Sequence, residues 1–171
     1  MKKNIIVYGV IAGIVVSVLM LISSNTLTNY DVSLFVGYAS MLIAFSIVFV
    51  GIRNYRNKYN GGVISFGKAF KIGLFMVLIA STIYVVAWLK DYFFFIPDFL
   101  EKYSVHMLEK LKASGASQME IDKQTKEVAN MVAMLKNPFY NAMMTYAEIL
   151  PVGLIVALVS SLILKRKTAK N

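Results

Sequence analysis

The sequence predicts an all-α integral membrane protein with four transmembrane helices and an extracytoplasmic helical hairpin between spans three and four. Three observations carry that prediction. First, residues 5–22, 32–52, 72–89 and 139–164 are apolar runs of spanning length, in a chain of 171 residues that is 58% hydrophobic with mean hydropathy +0.64. A water-soluble fold can bury one such helix at its centre but has no place for four. Second, the basic residues are sorted by those runs. Third, the one long polar stretch, 97–137, reads as two amphipathic helices. The whole chain is expected to form one four-span membrane domain.

As a helix, residues 5–22 rise about 27 Å, close to the hydrocarbon thickness of a bilayer. They follow Lys2 and Lys3, as a signal peptide would. The run is longer than a typical signal h-region, however, and the SSNTL that follows offers no A-x-A cleavage site, so a retained first span is expected. Gly9, Gly13 and Ser17 are spaced four apart and form a small-xxx-small face. Packing within the chain is the favoured use of that face, and formation of a homo-oligomer is the alternative. Residues 23–31 make a short polar turn with no basic residue, after which the chain re-enters. Span 32–52 covers about 31 Å, with Tyr30 and Tyr38 toward its outer end, where amphipathic rings favour the headgroup level.

The connection at 53–71, RNYRNKYNGGVISFGKAFK, is strongly basic and contains no acid. Eleven of the 18 Lys and Arg residues lie at Lys2 and Lys3, in this connection, and at Lys165, Arg166, Lys167 and Lys170, and no acid shares those segments. The other seven lysines, between 90 and 136, are matched by seven acids. This is the positive-inside pattern: it places both termini and the basic connection in the cytoplasm, and it accounts for the net charge of +9 without nucleic acid. Two motif lookalikes fail on context. GVISFGKA at 62–69 lacks the final Ser or Thr of a P-loop and has no preceding strand, and SFGK at 65–68 lacks the partner motifs of an S-x-x-K hydrolase. Gly61 and Gly62 are expected to turn the chain and Ser65 to cap a short interfacial helix anchored by Phe66 and Phe70. Lys68 and Lys71 are candidate contacts for membrane lipids, holding anionic headgroups at about 1 kcal/mol each.

Span 72–89 ends in an aromatic cluster that includes Tyr84, Trp88 and Tyr92, expected at the outer interface, with a ligand-binding aromatic box as the alternative. In the hairpin, Leu100, Ser104, Met107, Leu108 and Leu111 share one helical stripe, and Gly115 stops that helix. Ser117 and Glu120 form a capping box for a second helix, with Ile121, Val128, Val132 and Leu135 on its stripe and Asn137–Pro138 at its close. The two stripes are expected to face each other. Span 139–164 carries Glu148, the one ionisable residue inside an apolar run, about 25 Å along a helix from Lys165 and so near the outer edge of the core. Pro151, three residues on, removes a backbone donor, and together the two residues form a candidate polar notch.

Several chemistries are excluded by count. Cysteine is absent and His106 is the sole histidine, so there is no disulfide framework, thiolate or two-histidine metal site, or catalytic triad. Neither an enzyme activity nor a cofactor is expected.

The block GG-x-I-S-F-G-x-A-F-K-x-G at 61–73, followed by PDFLEK and the capped hairpin, resembles the family catalogued as domain of unknown function 4199, small four-helix membrane proteins of bacteria. The similarity runs over nearly the whole length. It implies an inner-membrane location, four spans and no assigned activity, and it transfers no catalytic residue.

The favoured expectation is a non-enzymatic interaction or regulatory subunit that presents the hairpin to a protein partner, because the spans look nearly devoid of polar chemistry. The alternative is a small transporter or lipid-handling protein with an outward-facing cleft near Glu148 and Pro151. A cavity reaching Glu148 would favour the second, and a dry, close-packed bundle the first.

Overall fold

The computed structural model describes residues 1–26 and 30–166, with backbone alone at 26, 30, 31, 33 and 34. It is all-helical: α1 (Lys2–Thr26), α2 (Tyr30–Tyr59), α3 (Phe66–Phe94), α4 (Phe99–Ala113), α5 (Gln118–Leu135) and α6 (Pro138–Leu164). Helices α1, α2, α3 and α6 are long and apolar enough to cross a membrane. Helix is the open-chain form that satisfies every backbone N–H and C=O within its own segment, as an apolar solvent demands. Part of the polar turn at 23–31 falls on residues 27–29, and Lys167 and Lys170 of the basic tail lie beyond Arg166, so these expectations lie outside the described residues.

The four long helices extend past the apolar runs that identify them. Most of the basic connection is therefore helix end rather than loop: α2 continues to Tyr59 and α3 starts at Phe66. Gly61 and Gly62 turn the chain with φ of 61° and 79°, a conformation that a Cβ disfavours. Ser65 caps α3, its hydroxyl accepting from the Lys68 N–H, and Phe66 stacks on Phe70. The separate interfacial helix expected here is instead the first turns of one unbroken α3. Ile64 pairs with Arg166 in both directions, at 3.0 and 2.9 Å, and Arg56 donates to the Leu164 carbonyl, tying the basic turn to the end of α6.

Helix α1 packs on α2 and α3, and α6 packs on the same two helices, so α1 and α6 occupy opposite corners. Small residues fill the seams. Ala12, Ala44, Ala69, Ala80 and Ala157 are fully buried, whereas Ile14, Leu42, Ile43, Ile155 and Ile163 point outward and are more than half exposed. Small residues at the helix contacts, beside larger buried ones such as Phe45, Ile52, Met76 and Ile149, and large apolar side chains facing outward make up the packing of helices surrounded by lipid, where close backbone approach replaces hydrophobic collapse. The small face of α1 lies against α3. A Cβ on Gly9 would sit 3.0 Å from Ile79 Cβ, and one on Gly13 2.9 Å from Ile83 Cβ. Ser17, one turn further, is buried with its hydroxyl on the Gly13 carbonyl.

The hairpin stands at the end of the bundle opposite the basic turn. Its stripe residues Leu100 and Val128 are buried, while Glu101, Lys102, Glu109 and Lys112 are exposed. Lys136 reaches Glu101 at 3.5 Å across its open end. At Ser117 the capping box is complete: its hydroxyl accepts from the Glu120 N–H, and its own N–H donates to Glu120 Oε2 at 2.8 Å.

Two predictions follow from this packing. On Gly153 an added Cβ would lie 2.5 Å from Val77 Cγ1 and 2.9 Å from Phe45 Cζ, whereas on Gly37 it would meet nothing within 4 Å. Gly153→Ala should therefore destabilise by about 1–3 kcal/mol through overpacking. Gly37→Ala should be neutral or stabilising by up to about 1 kcal/mol. Thermal unfolding in detergent checks both, and equal effects would contradict the seam. In the hairpin, hydrogen bonds from the Ser117 hydroxyl and N–H hold the Glu120 carboxyl below its ordinary pKa of 4.5. A depressed folded-state pKa means stability that is present above the unfolded value and lost as pH falls through the folded one. Hydrogen-exchange protection of the first turn of α5 should thus decline as pH falls below the ordinary value of 4.5, and Glu120→Gln should abolish that dependence.

Candidate binding cavity

The seam between α2 and α6 closes in the half of the bundle nearer the basic turn. Helices α2 and α6 touch where Phe45 meets Gly153, and Ile52 and Ala157 close on Gly73. One to two turns further toward the hairpin, α2 presents Gly37, Tyr38 and Met41, α6 presents Met144, Ala147 and Glu148, and a cavity of about 540 Å³ lies between them. That volume falls within the range of small-molecule sites. Val16, Met20 and Ser23 of α1 and Tyr84 and Trp88 of α3 form its back wall. Phe99 and Tyr103 of α4 and Met131 and Leu135 of α5 close the hairpin side. Tyr38 and Met144 are nearly half exposed while Tyr84 and Met41 are buried, so the mouth opens laterally between α2 and α6.

Hydrogen bonds frame this end. The Trp88 indole donates to Asn141 Oδ1 at 2.9 Å, joining α3 to α6. Asn141 is 2% exposed and also donates from Nδ2 to the Leu135 carbonyl at 3.0 Å, which fixes the passage from α5 into α6. Thr145, one turn on, donates to the Asn141 carbonyl. Between α1 and α3, Asp91 is also 2% exposed and accepts from Ser24 Oγ at 2.8 Å and from Asn25 Nδ2 at 3.2 and 3.3 Å. Aromatic contacts run from the bundle into the hairpin, with Trp88 stacked on Tyr92 and edge-on to Phe99 at 5.6 Å.

The residues singled out from sequence fall into three places. Glu148 and Trp88 line the cavity, with Pro151 one turn beyond Glu148 on α6. Because Pro151 has no N–H, the Ala147 carbonyl at the mouth lacks its usual helix donor. Gly9, Gly13 and Ser17 are in the α1–α3 seam. Lys68 and Lys71 are at the far end, where Lys68 Nζ binds Asn60 Oδ1 at 2.6 Å and sits 5.3 Å from the centre of the Tyr55 ring.

The view of the spans as nearly devoid of polar chemistry needs correction at the hairpin end. Asn141, Thr145, Ser40 and Ser23 are all buried there. Asp91, balanced against Lys90 in the charge pattern, is enclosed between helices instead of solvated. Asn141 and Thr145 were detectable by their spacing of four within an apolar run, since such residues in spans bond across helices. Nothing in the local sequence marks Asp91, whose partners are 66 and 67 residues away.

A family described as "protein of unknown function (DUF4199)" matches residues 7–166. No curated protein and no solved structure matches.

Trp88→Phe removes one interhelical donor and should cost about 0.6 kcal/mol, the average for such bonds between membrane helices. Asn141→Leu should cost more, about 1–3 kcal/mol, because it leaves both the Trp88 N–H and the Leu135 carbonyl without a partner. Unfolding followed by circular dichroism distinguishes the two, and a smaller loss for Asn141→Leu would contradict the bridging role.

Proposed function

The chain belongs to the DUF4199 family, and for it we propose a lipid-handling role: a non-enzymatic protein of the bacterial inner membrane that admits an amphiphile through the lateral mouth between α2 and α6. The observation that carries this reading is the cavity reaching Glu148. It favours the cleft over the interaction subunit. A side opening between two spans is reachable from the lipid phase without crossing water, and a wall of Met, Val and aromatic side chains suits an acyl tail. Both termini and the basic turn are assigned to the cytoplasm because Lys2, Lys3, Arg53, Arg56, Lys58, Lys68, Lys71, Lys165 and Arg166 belong to one end of the bundle with no acid among them. The hairpin and the cavity are then extracytoplasmic. At the basic end, the exposed Lys71 and Arg53 suit anionic headgroups.

The hairpin as a partner-binding surface stands as a second reading. It is supported by Met119, Val105 and Met134, which are 78, 56 and 53% exposed on that element. Met119→Lys with Val105→Lys separates the two readings: loss of a co-purifying protein with ligand binding intact supports the partner surface.

Trp88, the one tryptophan, lines the cavity and makes a direct reporter. A brominated-tail amphiphile added to the protein in nanodiscs should quench Trp88 fluorescence saturably. Gly37→Phe adds bulk at a lining position where a Cβ meets no atom within 4 Å, and it should weaken that quenching at least about tenfold with the fold intact. Quenching unchanged by the plug would mean that the amphiphile reaches Trp88 from bulk lipid, and the lipid-handling reading would fall.

A further inference from the structure

Resting on the lipid-handling reading, we infer that the cavity selects an amphiphile with a cationic ammonium head and no adjacent anion, such as a long-chain amine or quaternary ammonium. Among the described residues Glu148 is the one carboxylic acid in the lining, and none of them that line the cavity is Lys, Arg or His. Among the described residues the Glu148 carboxyl makes no hydrogen bond or ion pair, so an ionised Glu148 would have no counter-charge within the protein. An anionic head would enter against that charge, with nothing to bind its oxygens. A phosphate-bearing zwitterion would satisfy only its ammonium half. A cation meets the opposite situation, with the carboxylate at the mouth and a second acceptor beside it in the Ala147 carbonyl that Pro151 leaves without its helix donor.

The aromatic lining adds to the same preference. Tyr38, Tyr84, Trp88, Phe99 and Tyr103 all line this one space, and the faces of such rings attract cations, which is how quaternary ammonium groups are commonly held. Phe99 and Trp88 already meet edge to face, and Phe99 stacks on Tyr103 at 6.4 Å, so α3 and α4 share a continuous aromatic wall. Four methionines, Met20, Met41, Met131 and Met144, provide adaptable apolar surface for the tail. Charge, acceptor and ring faces lie within one cavity, whereas the basic residues near 53–71 sit at the other end of the bundle.

The test uses the full chain in zwitterionic nanodiscs and amphiphiles that share one brominated tail but carry trimethylammonium, hydroxyl or phosphate heads, read by saturable Trp88 quenching. The ammonium probe should bind at least about tenfold more tightly than the hydroxyl probe, the effect of one charge-assisted contact, and the phosphate probe most weakly. Glu148→Gln should abolish the preference for the ammonium over the hydroxyl probe, and Glu148→Asp should keep it. Equal binding of all heads, or a preference for phosphate, overturns the head selectivity and leaves the lipid-handling reading in place. Absence of any quenching that Gly37→Phe relieves overturns both.

Discussion

Four helices can approach one another only as closely as the side chains between them permit, and in this bundle that limit differs between the two ends. Gly9, Gly51, Gly73 and Gly153 each stand where a Cβ would come within 3.0 Å or less of a side chain on a neighbouring helix, and all four lie toward the basic turn. Gly13 makes the last such contact along α1. Beyond it the one remaining glycine of the long helices' outer halves, Gly37, borders open space. In lipid there is little hydrophobic drive between helices, so loss of close packing is not repaired by collapse. The bundle is closed where glycine and alanine permit it and open where Tyr38, Tyr84, Trp88 and Met144 stand instead.

An open end requires another means of support, and hydrogen bonds provide it. Trp88–Asn141 holds α3 to α6, and Asp91 with Ser24 and Asn25 holds α1 to α3, both beside the cavity. A polar group facing hydrocarbon without a partner is costly, so such bonds are specific even where their net contribution is modest. Among the described residues no hydrogen bond joins α2 to α6 at this level, and the mouth lies between those two helices. The hairpin continues the frame: its aromatic foot at Phe99 abuts Trp88, and Asn141 reaches back to the last turn of α5. One set of residues thus ends the bundle, anchors the hairpin and walls the cavity.

Much of the fold was legible residue by residue. The Ser65 cap, the Gly61–Gly62 turn, the Gly115 stop and the Ser117–Glu120 capping box are local signals whose partners lie within a few residues, and each sits where the local chemistry places it. Glu148 stood out because a carboxyl in an apolar run is costly anywhere. The buried state of Asp91 was not legible, because an acid in a region of balanced charge has the same local pattern whether it is solvated or enclosed by a helix 66 residues away. The continuity of α3 was also missed, since the basic residues at its start look like loop when they are the polar end of a long helix.

By itself the sequence determined what short-range chemistry decides: four apolar segments of spanning length, their caps and turns, and the gathering of positive charge at one end. Tertiary structure alone decided that the bundle is tight at one end and hollow at the other. A void is a property of the space between helices, set by which faces meet, and neither α2 nor α6 carries a mark of the distance that separates Tyr38 from Glu148 across it.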